Sequence, residues 1–122
     1  MAQAGILERD ALAADSRVVI EPSAEPMLTA AIRPLVCESI DLLIREADRQ
    51  GVPYERIKVQ GRISWEEGDR SIVITQHVRL PASAADAYWD SLEGPVECWL
   101  AQLTEDQVEL FSRKIFIHIH WN

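Results

Sequence analysis

The chain has 122 residues, a length typical of one domain that buries a core without disulfides or metal ions. Its formal net charge of −8 argues against nonspecific binding of nucleic acid by the whole surface. No apolar run approaches the length of a transmembrane helix, and the N-terminus lacks the pattern of a signal peptide. These features predict a cytoplasmic protein that does not enter a membrane.

The first half of the chain predicts a strand followed by a long helix. Residues 1–16 are rich in alanine and predict a flexible N-terminal segment ahead of a single α+β domain over residues 17–122. Arg17–Glu21 is a short β-branched run, which is typical of a strand. Apolar residues then follow helical spacing from about residue 28 to residue 50. Pro34 predicts either a kink in this helix or a later start, and Gly51 predicts its end.

A β-hairpin is predicted at the centre of the chain. Glu55–Glu66 and Arg70–Leu80 both alternate apolar and polar residues with a period of two. A polar, glycine-containing link of even length keeps the two apolar sets on one face. Trp65 belongs to that set and is expected in the core. Gly61 also falls on the buried face and indicates a bulge or the close approach of another group.

The second half predicts a broken helical region and a last strand. Helices are expected at about residues 84–93 and 96–103, separated by Gly94 and Pro95. Thr104–Gln107 has the form of a capping box and predicts a third helix to about residue 112. Lys114–Trp121 alternates strictly and predicts a strand.

The element order, β-α-β-β-α-β with a broken second helix, is that of a ferredoxin-like α+β sandwich. This fold is an antiparallel sheet with helices on one face, and it would place the short run Arg17–Glu21 in the middle of the sheet. The alternative is a three-stranded sheet with two helical layers, in which Lys114–Trp121 lies directly beside Arg70–Leu80.

The sheet face turned away from the helices carries the most informative side chains. It combines apolar, basic and histidine residues and is therefore too apolar for a simple solvent surface and too polar for a core. This candidate binding face consists of Arg62, Val73, Thr75, His77, Arg79, Phe116, His118 and His120. The acidic residues fall mainly on the predicted helices and loops.

The histidines allow a metal-site hypothesis that the surrounding residues do not support. His118 and His120 share a strand face, and His77 would be in reach if its strand were adjacent. No Asp or Glu on that face is placed as a further ligand or as a hydrogen-bond partner of the histidines, so the sequence predicts no metal and no cofactor. A single outer aromatic, Phe116, is also too few for an RNA-binding sheet.

The favoured function is a small interaction or assembly module without enzymatic activity. It would form a homodimer, or bind a protein partner, through the candidate binding face. The alternative is a small enzyme or ligand binder with a pocket for a small molecule lined by His77, His118 and His120. A third hypothesis is an acidic protein that presents its helices to a basic partner. No motif identifies catalytic residues, so whether the chain is an enzyme is left open.

Overall fold

The computed structural model describes residues 17–64 and 68–121. The expectations for residues 1–16 and for Trp65 lie outside the described residues. Its elements in chain order are β1 (Val18–Ile20), a 3-10 turn (Glu25–Met27), α1 (Arg33–Gln50), β2 (Tyr54–Ile63), β3 (Arg70–Val78), α2 (Ala82–Ser91), α3 (Glu93–Leu100), α4 (Glu105–Lys114) and β4 (Ile115–Trp121). Among these helices, none is long and apolar enough to cross a bilayer.

The strands form one mixed, four-stranded sheet in the order β1-β2-β3-β4. β1 is parallel to β2, β2 is antiparallel to β3, and β3 is parallel to β4. The prediction of an antiparallel ferredoxin-like sheet is therefore wrong, although the protein is an α+β protein. The three-stranded alternative is also wrong, because Val18–Ile20 does pair, with Ile57–Val59 of β2.

The physical reason for the different sheet lies in strand length. β1 has three residues, whereas β2 has ten and β3 has nine. A central strand must supply hydrogen bonds on both sides, and three residues would leave most of a long neighbour unpaired. The longer strand β4 instead pairs along its whole length with β3, and β1 occupies the far edge. Each crossover thus returns to the adjacent position, as in two simple β-α-β units joined by a hairpin.

The hairpin has the predicted parity. Val59 pairs with Ile74 and Gln60 pairs with Val73, so odd positions of β2 face even positions of β3. The side chains of Ile57, Val59, Ile72 and Ile74 consequently lie together in the core, each at most 1% exposed. Ile63, the last residue of β2, is 57% exposed and does not share this burial.

All the helices pack on one side of the sheet. The core combines the inward side chains of β2, β3 and β4 with residues of α1 such as Leu35 and Leu43, both completely buried. Tyr88 of α2 donates a hydrogen bond of 2.7 Å to Oε1 of Gln76, which is also completely buried. This bond ties α2 to the middle of β3 and satisfies one polar atom in the core.

The helix ends follow the local signals. α1 begins at Arg33, with Pro34 in its first turn, so the later of the two predicted starts is correct. It ends at Gly51, whose φ of 67° is left-handed and favours glycine. At α4, Gln107 N donates to Thr104 Oγ1 and Thr104 N donates to Gln107 Oε1, which confirms the capping box.

Candidate functional site

The sheet face opposite the helices remains accessible to solvent. We define the open face by the outward side chains of the four strands: Val19, Arg56, Lys58, Gln60, Arg62, Ser71, Val73, Thr75, His77, Phe116, His118 and His120. Two large apolar residues on it, Val19 and Phe116, are 42% and 43% exposed. Period-two alternation along each strand turns these side chains away from the core.

The strand register arranges these side chains in rows across the sheet. Arg56, His77 and His120 form one row, and Gln60, Val73 and Phe116 form another. Side chains directly opposite each other on adjacent strands are in reach of one another, so each row acts as one local environment. The row that contains Phe116 is apolar at β4 and polar at β2.

Most of the predicted binding residues belong to this face. Seven of the eight lie on it in regular strand positions, and Arg79 follows the end of β3, where its backbone N–H donates to Pro53 O. Val73 and Thr75 are half-buried, because their longer neighbours on β2 and β4 flank them. Sequence reasoning missed Val19, because β1 was expected in a different place in the sheet.

Basic groups dominate the described part of this face. Glu21, which follows β1, accepts a hydrogen bond of 2.9 Å from Gln60 Nε2 and lies 3.4 Å from Lys58 Nζ. The hydrogen bond from Gln60 and the nearby ammonium of Lys58 lower the pKa of Glu21 below its ordinary value of 4.5. The carboxylate thus stays charged and offsets Lys58, whereas Arg62 lies further along β2, towards the hairpin.

His77 and His120 form a pair at one end of the open face. Their ring centroids lie 5.0 Å apart with the planes tilted by 58°. Nε2 of His77 is buried and has no hydrogen-bond partner among the described atoms. Burial lowers the pKa of His77 below its ordinary value of 6.5. The charges of Arg56, His120 and Lys58 act in the same direction, and Glu55 acts against them.

The third histidine does not complete a metal site. β4 does abut β3, which meets the topological condition for bringing His77 near the histidines of β4. Nevertheless, residues 17–64 and 68–121 contain no group of three or more His, Cys, Asp or Glu side chains that could hold one metal ion. His118 instead lines depressions that contain neither His77 nor His120.

A basic depression of ≈ 790 Å³ lies at the hairpin end of the open face. Arg62 and Ser71 line it from the hairpin, Phe116 and His118 from β4, and Arg113 from the last turn of α4. Asp69 also lines it, so two guanidinium groups share the depression with one carboxylate. Arg113 lies 3.7 Å from Glu109, and both side chains are about two-thirds exposed, so this ion pair is weak. Two guanidinium groups thus flank an exposed aromatic ring.

An apolar groove follows the free side of β4. We define the edge groove by Trp89, Val96, Phe111, Ile117 and Trp121, which line two adjoining depressions of ≈ 530 Å³ and ≈ 220 Å³ between β4 and the helices α2, α3 and α4. Trp89 and Trp121 are 45% and 48% exposed. The alternation of β4 and the helical spacing of α2 are compatible with a core position for both tryptophans, because neither pattern reveals where the sheet ends.

Comparisons of the chain with models of protein families, with curated proteins and with solved structures found no match.

Proposed function

We propose that this protein is a cytoplasmic, non-enzymatic interaction module that binds an acidic protein segment through its open face. The observation that carries the proposal is the basic depression, in which Arg62 and Arg113 flank Phe116. Guanidinium groups recognise carboxylates with two parallel hydrogen bonds, and an exposed aromatic ring supplies apolar contact area beside them.

The distribution of charge supports an acidic partner. The chain has a net charge of −8, yet the open face carries Arg56, Lys58 and Arg62. A basic patch on an acidic protein attracts an acidic segment locally, while the remaining surface repels acidic segments that approach elsewhere. The patch therefore selects the place of docking as well as the charge of the partner.

The same charges weigh against the stacking of two open faces. A twofold contact would bring Arg56, Lys58 and Arg62 of one copy against the same residues of another. Like charges that meet across an interface cost free energy unless carboxylates separate them. Glu21 is already engaged by Lys58 and Gln60, so it does not serve this purpose well.

The alternative of a histidine-lined active site receives less support. His118 lines the basic depression with Arg62 and Phe116, while His77 and His120 pair with each other at the other end of the strands. A pocket that positions one substrate needs its polar groups to converge. The interaction hypothesis requires only that the basic, aromatic and histidine side chains lie on one surface.

The proposal is tested with a fluorescein-labelled peptide rich in glutamate and phenylalanine, whose binding is followed by fluorescence anisotropy. We expect Arg62→Glu to weaken binding by ~10-fold or more, because it replaces attraction by repulsion at the depression. Phe116→Asp should weaken it comparably. The affinity of the wild-type protein for the peptide should also fall as the salt concentration rises from ~50 to ~300 mM, since salt screens the exposed guanidinium groups and the carboxylates of the peptide.

Arg45→Glu is the matched control. Arg45 lies on the solvent side of α1, its side chain is 66% exposed, and the substitution makes the same change in charge away from the open face. The proposal fails if Arg45→Glu weakens binding as much as Arg62→Glu does, or if the wild-type protein does not bind the peptide. Tighter binding of a single-stranded oligonucleotide than of the peptide would replace the acidic protein by a nucleic acid as the partner.

A further inference from the structure

The last strand leaves one side of its backbone unpaired. β4 pairs with β3 in continuous register from Ile115 to Trp121, and no described residue pairs with its other side. Because successive residues of a strand point their N–H and C=O groups to opposite sides, every second residue of β4 presents these groups to the free side. The other edge of the sheet, β1, offers only three residues.

β4 has none of the features that normally protect an edge strand. Ile115–Trp121 contains no proline, no glycine, no lysine and no arginine, and its register with β3 shows no bulge. Soluble proteins generally block long edges with such residues or cover them, because an exposed edge recruits other strands. A seven-residue unprotected edge is suited to pairing with a further strand.

The side chains around this edge are apolar on the helical side. The edge groove runs beside the unpaired backbone, with Trp89 and Trp121 exposed along it. A strand added to β4 would extend the sheet beneath this groove and would cover both indole rings. Main-chain hydrogen bonds and apolar burial would then act at the same place.

We infer that the occupant of this edge is β4 of a second copy, in an antiparallel arrangement that makes one continuous eight-stranded sheet. With the twofold axis at His118, Ile117 lies opposite Ile119 of the second copy, and Phe116 lies opposite its His120. The inward pairs are then apolar, with Ile115 opposite Trp121 as well. The outward pairs join Phe116 to His120 and bring the two copies of His118 together at the axis. Such cross-strand pairs stabilise a sheet.

The absence of acidic and basic side chains from β4 favours pairing of two copies through this edge over the open-face contact. Ile115–Trp121 contains no carboxylate, ammonium or guanidinium group, so self-pairing brings no such charges together. The carboxylates of Asp86, Asp90 and Glu93 lie at the rim of the groove, where they stay in solvent. They repel their counterparts across the axis, and salt screens this repulsion.

The inferred dimer does not rest on the proposed binding of an acidic segment, although Phe116 and His118 of β4 belong to both surfaces. The axis is perpendicular to the sheet, so the helices of both copies lie on one side and both open faces lie on the other. Two basic depressions would then share one surface. The two associations respond oppositely to salt, because rising salt weakens the basic face and does not weaken the edge.

The inference is tested by sedimentation equilibrium of the full chain at pH 8, from ~1 to ~200 μM, where specific dimers populate. We expect a dimer in the wild-type protein. We expect Trp121→Glu to raise its dissociation constant by ~10-fold or more, because a charge replaces the apolar side chain that would lie opposite Ile115 of the second copy. Val19→Glu is the matched control: Val19 is 42% exposed on β1, at the opposite edge, and its substitution should change the constant less than ~2-fold.

Hydrogen exchange identifies the pairing itself. Alternate amides of β4 should exchange more slowly at ~200 μM than at ~1 μM, because dimerisation gives them hydrogen-bond partners. A wild-type monomer at ~200 μM overturns the inference. A dimer in which the amides of β4 gain no protection also overturns it. Loss of that dimer in Phe116→Asp would then assign the contact to the open face. Protection of these amides at every concentration would assign the edge to another part of the same chain and would also overturn it.

Discussion

Gly61 is a residue where the backbone of another segment leaves no room for a side chain. A Cβ placed there would lie 2.1 Å from the carbonyl oxygen of Ser23, and Gly61 N donates to Ser23 Oγ at 3.0 Å. The loop after β1 is therefore packed directly on β2. The sequence indicated a close approach at this position, but it did not reveal that Ser23 makes it.

Gly61→Ala should destabilise the protein by ~2–4 kcal/mol, since backbone rather than a flexible side chain would have to move. The measurement is urea denaturation followed by tryptophan fluorescence. Gly94→Ala is the control, because nothing lies within 4 Å of its added Cβ and Gly94 is in a helix. That change should alter the free energy of unfolding by less than ~1 kcal/mol, because the higher helix propensity of alanine is opposed by the contact of its Cβ with Pro95, the next residue. Equal effects of the two substitutions would show that Ser23 does not constrain Gly61.

His77 should make folding stability depend on pH. Burial lowers its pKa below 6.5 in the folded protein. Between 6.5 and that lower value, the unfolded chain takes up a proton at His77 and the folded chain does not. Stability must therefore fall as the pH is lowered through this window. The carboxyl groups of Glu21 and Glu46 have pKa values lowered from 4.5, so their contribution is lost at more acidic pH.

We expect the free energy of unfolding of the wild-type protein to decrease from pH 7.5 to pH 5. That of His77→Gln should decrease less over the same range, because the unfolded variant has no imidazole at this position to take up a proton. Urea denaturation at several pH values measures the difference. His118→Gln is the comparison variant, because His118 is exposed on the same face. If wild type and His77→Gln show parallel pH profiles, the imidazole of His77 is not buried in the folded protein.

At the scale of elements, one hydrogen bond joins the second helical region to the sheet. Tyr88 of α2 donates to Gln76 of β3, and burial raises the pKa of Tyr88, so its hydroxyl stays protonated as a donor. Both residues stand where the alternation of β3 and the spacing of α2 place apolar groups. The sequence showed that Gln76 faces inward, but no local pattern identifies its partner on another element.

Tyr88→Phe should destabilise by ~1–3 kcal/mol, because it leaves the buried Gln76 Oε1 without its donor. Adding Gln76→Leu to this variant should recover part of the loss, since two apolar groups of similar shape need no hydrogen bond. A double-mutant cycle by chemical denaturation measures the coupling. Additive effects of the two substitutions would contradict the coupling between α2 and β3.

Local signals predicted the elements well. Alternation identified β2, β3 and β4, and the prolines, glycines and the Thr104 capping box identified the helix ends to within a few residues. These signals act between neighbours in the sequence, so they are visible without the fold. The start of α1 depended on Pro34, which is compatible with a kink or a first turn, and only the packed structure selects between them.

At the scale of the whole molecule, the order of the strands was not encoded in any local pattern. The element order β-α-β-β-α-β is compatible with crossovers that skip a strand and with crossovers that do not. The choice depends on which arrangement gives the long strands hydrogen-bond partners along their whole length. Here β4 rather than β1 pairs with β3. The open face was predicted because parity is local. The edge groove was missed because an edge is a property of the sheet.

The shortness of β1 limits how far copies of this protein can assemble. Fibres of stacked sheets grow when both edges of each unit accept a strand. β1 has three residues, Glu21 N already donates to Val59 O, and Pro22 has no N–H to offer. In the inferred dimer both β4 edges are used, and the described part of β1 offers no second long edge for further strands. We therefore expect association through β4 to stop at two copies.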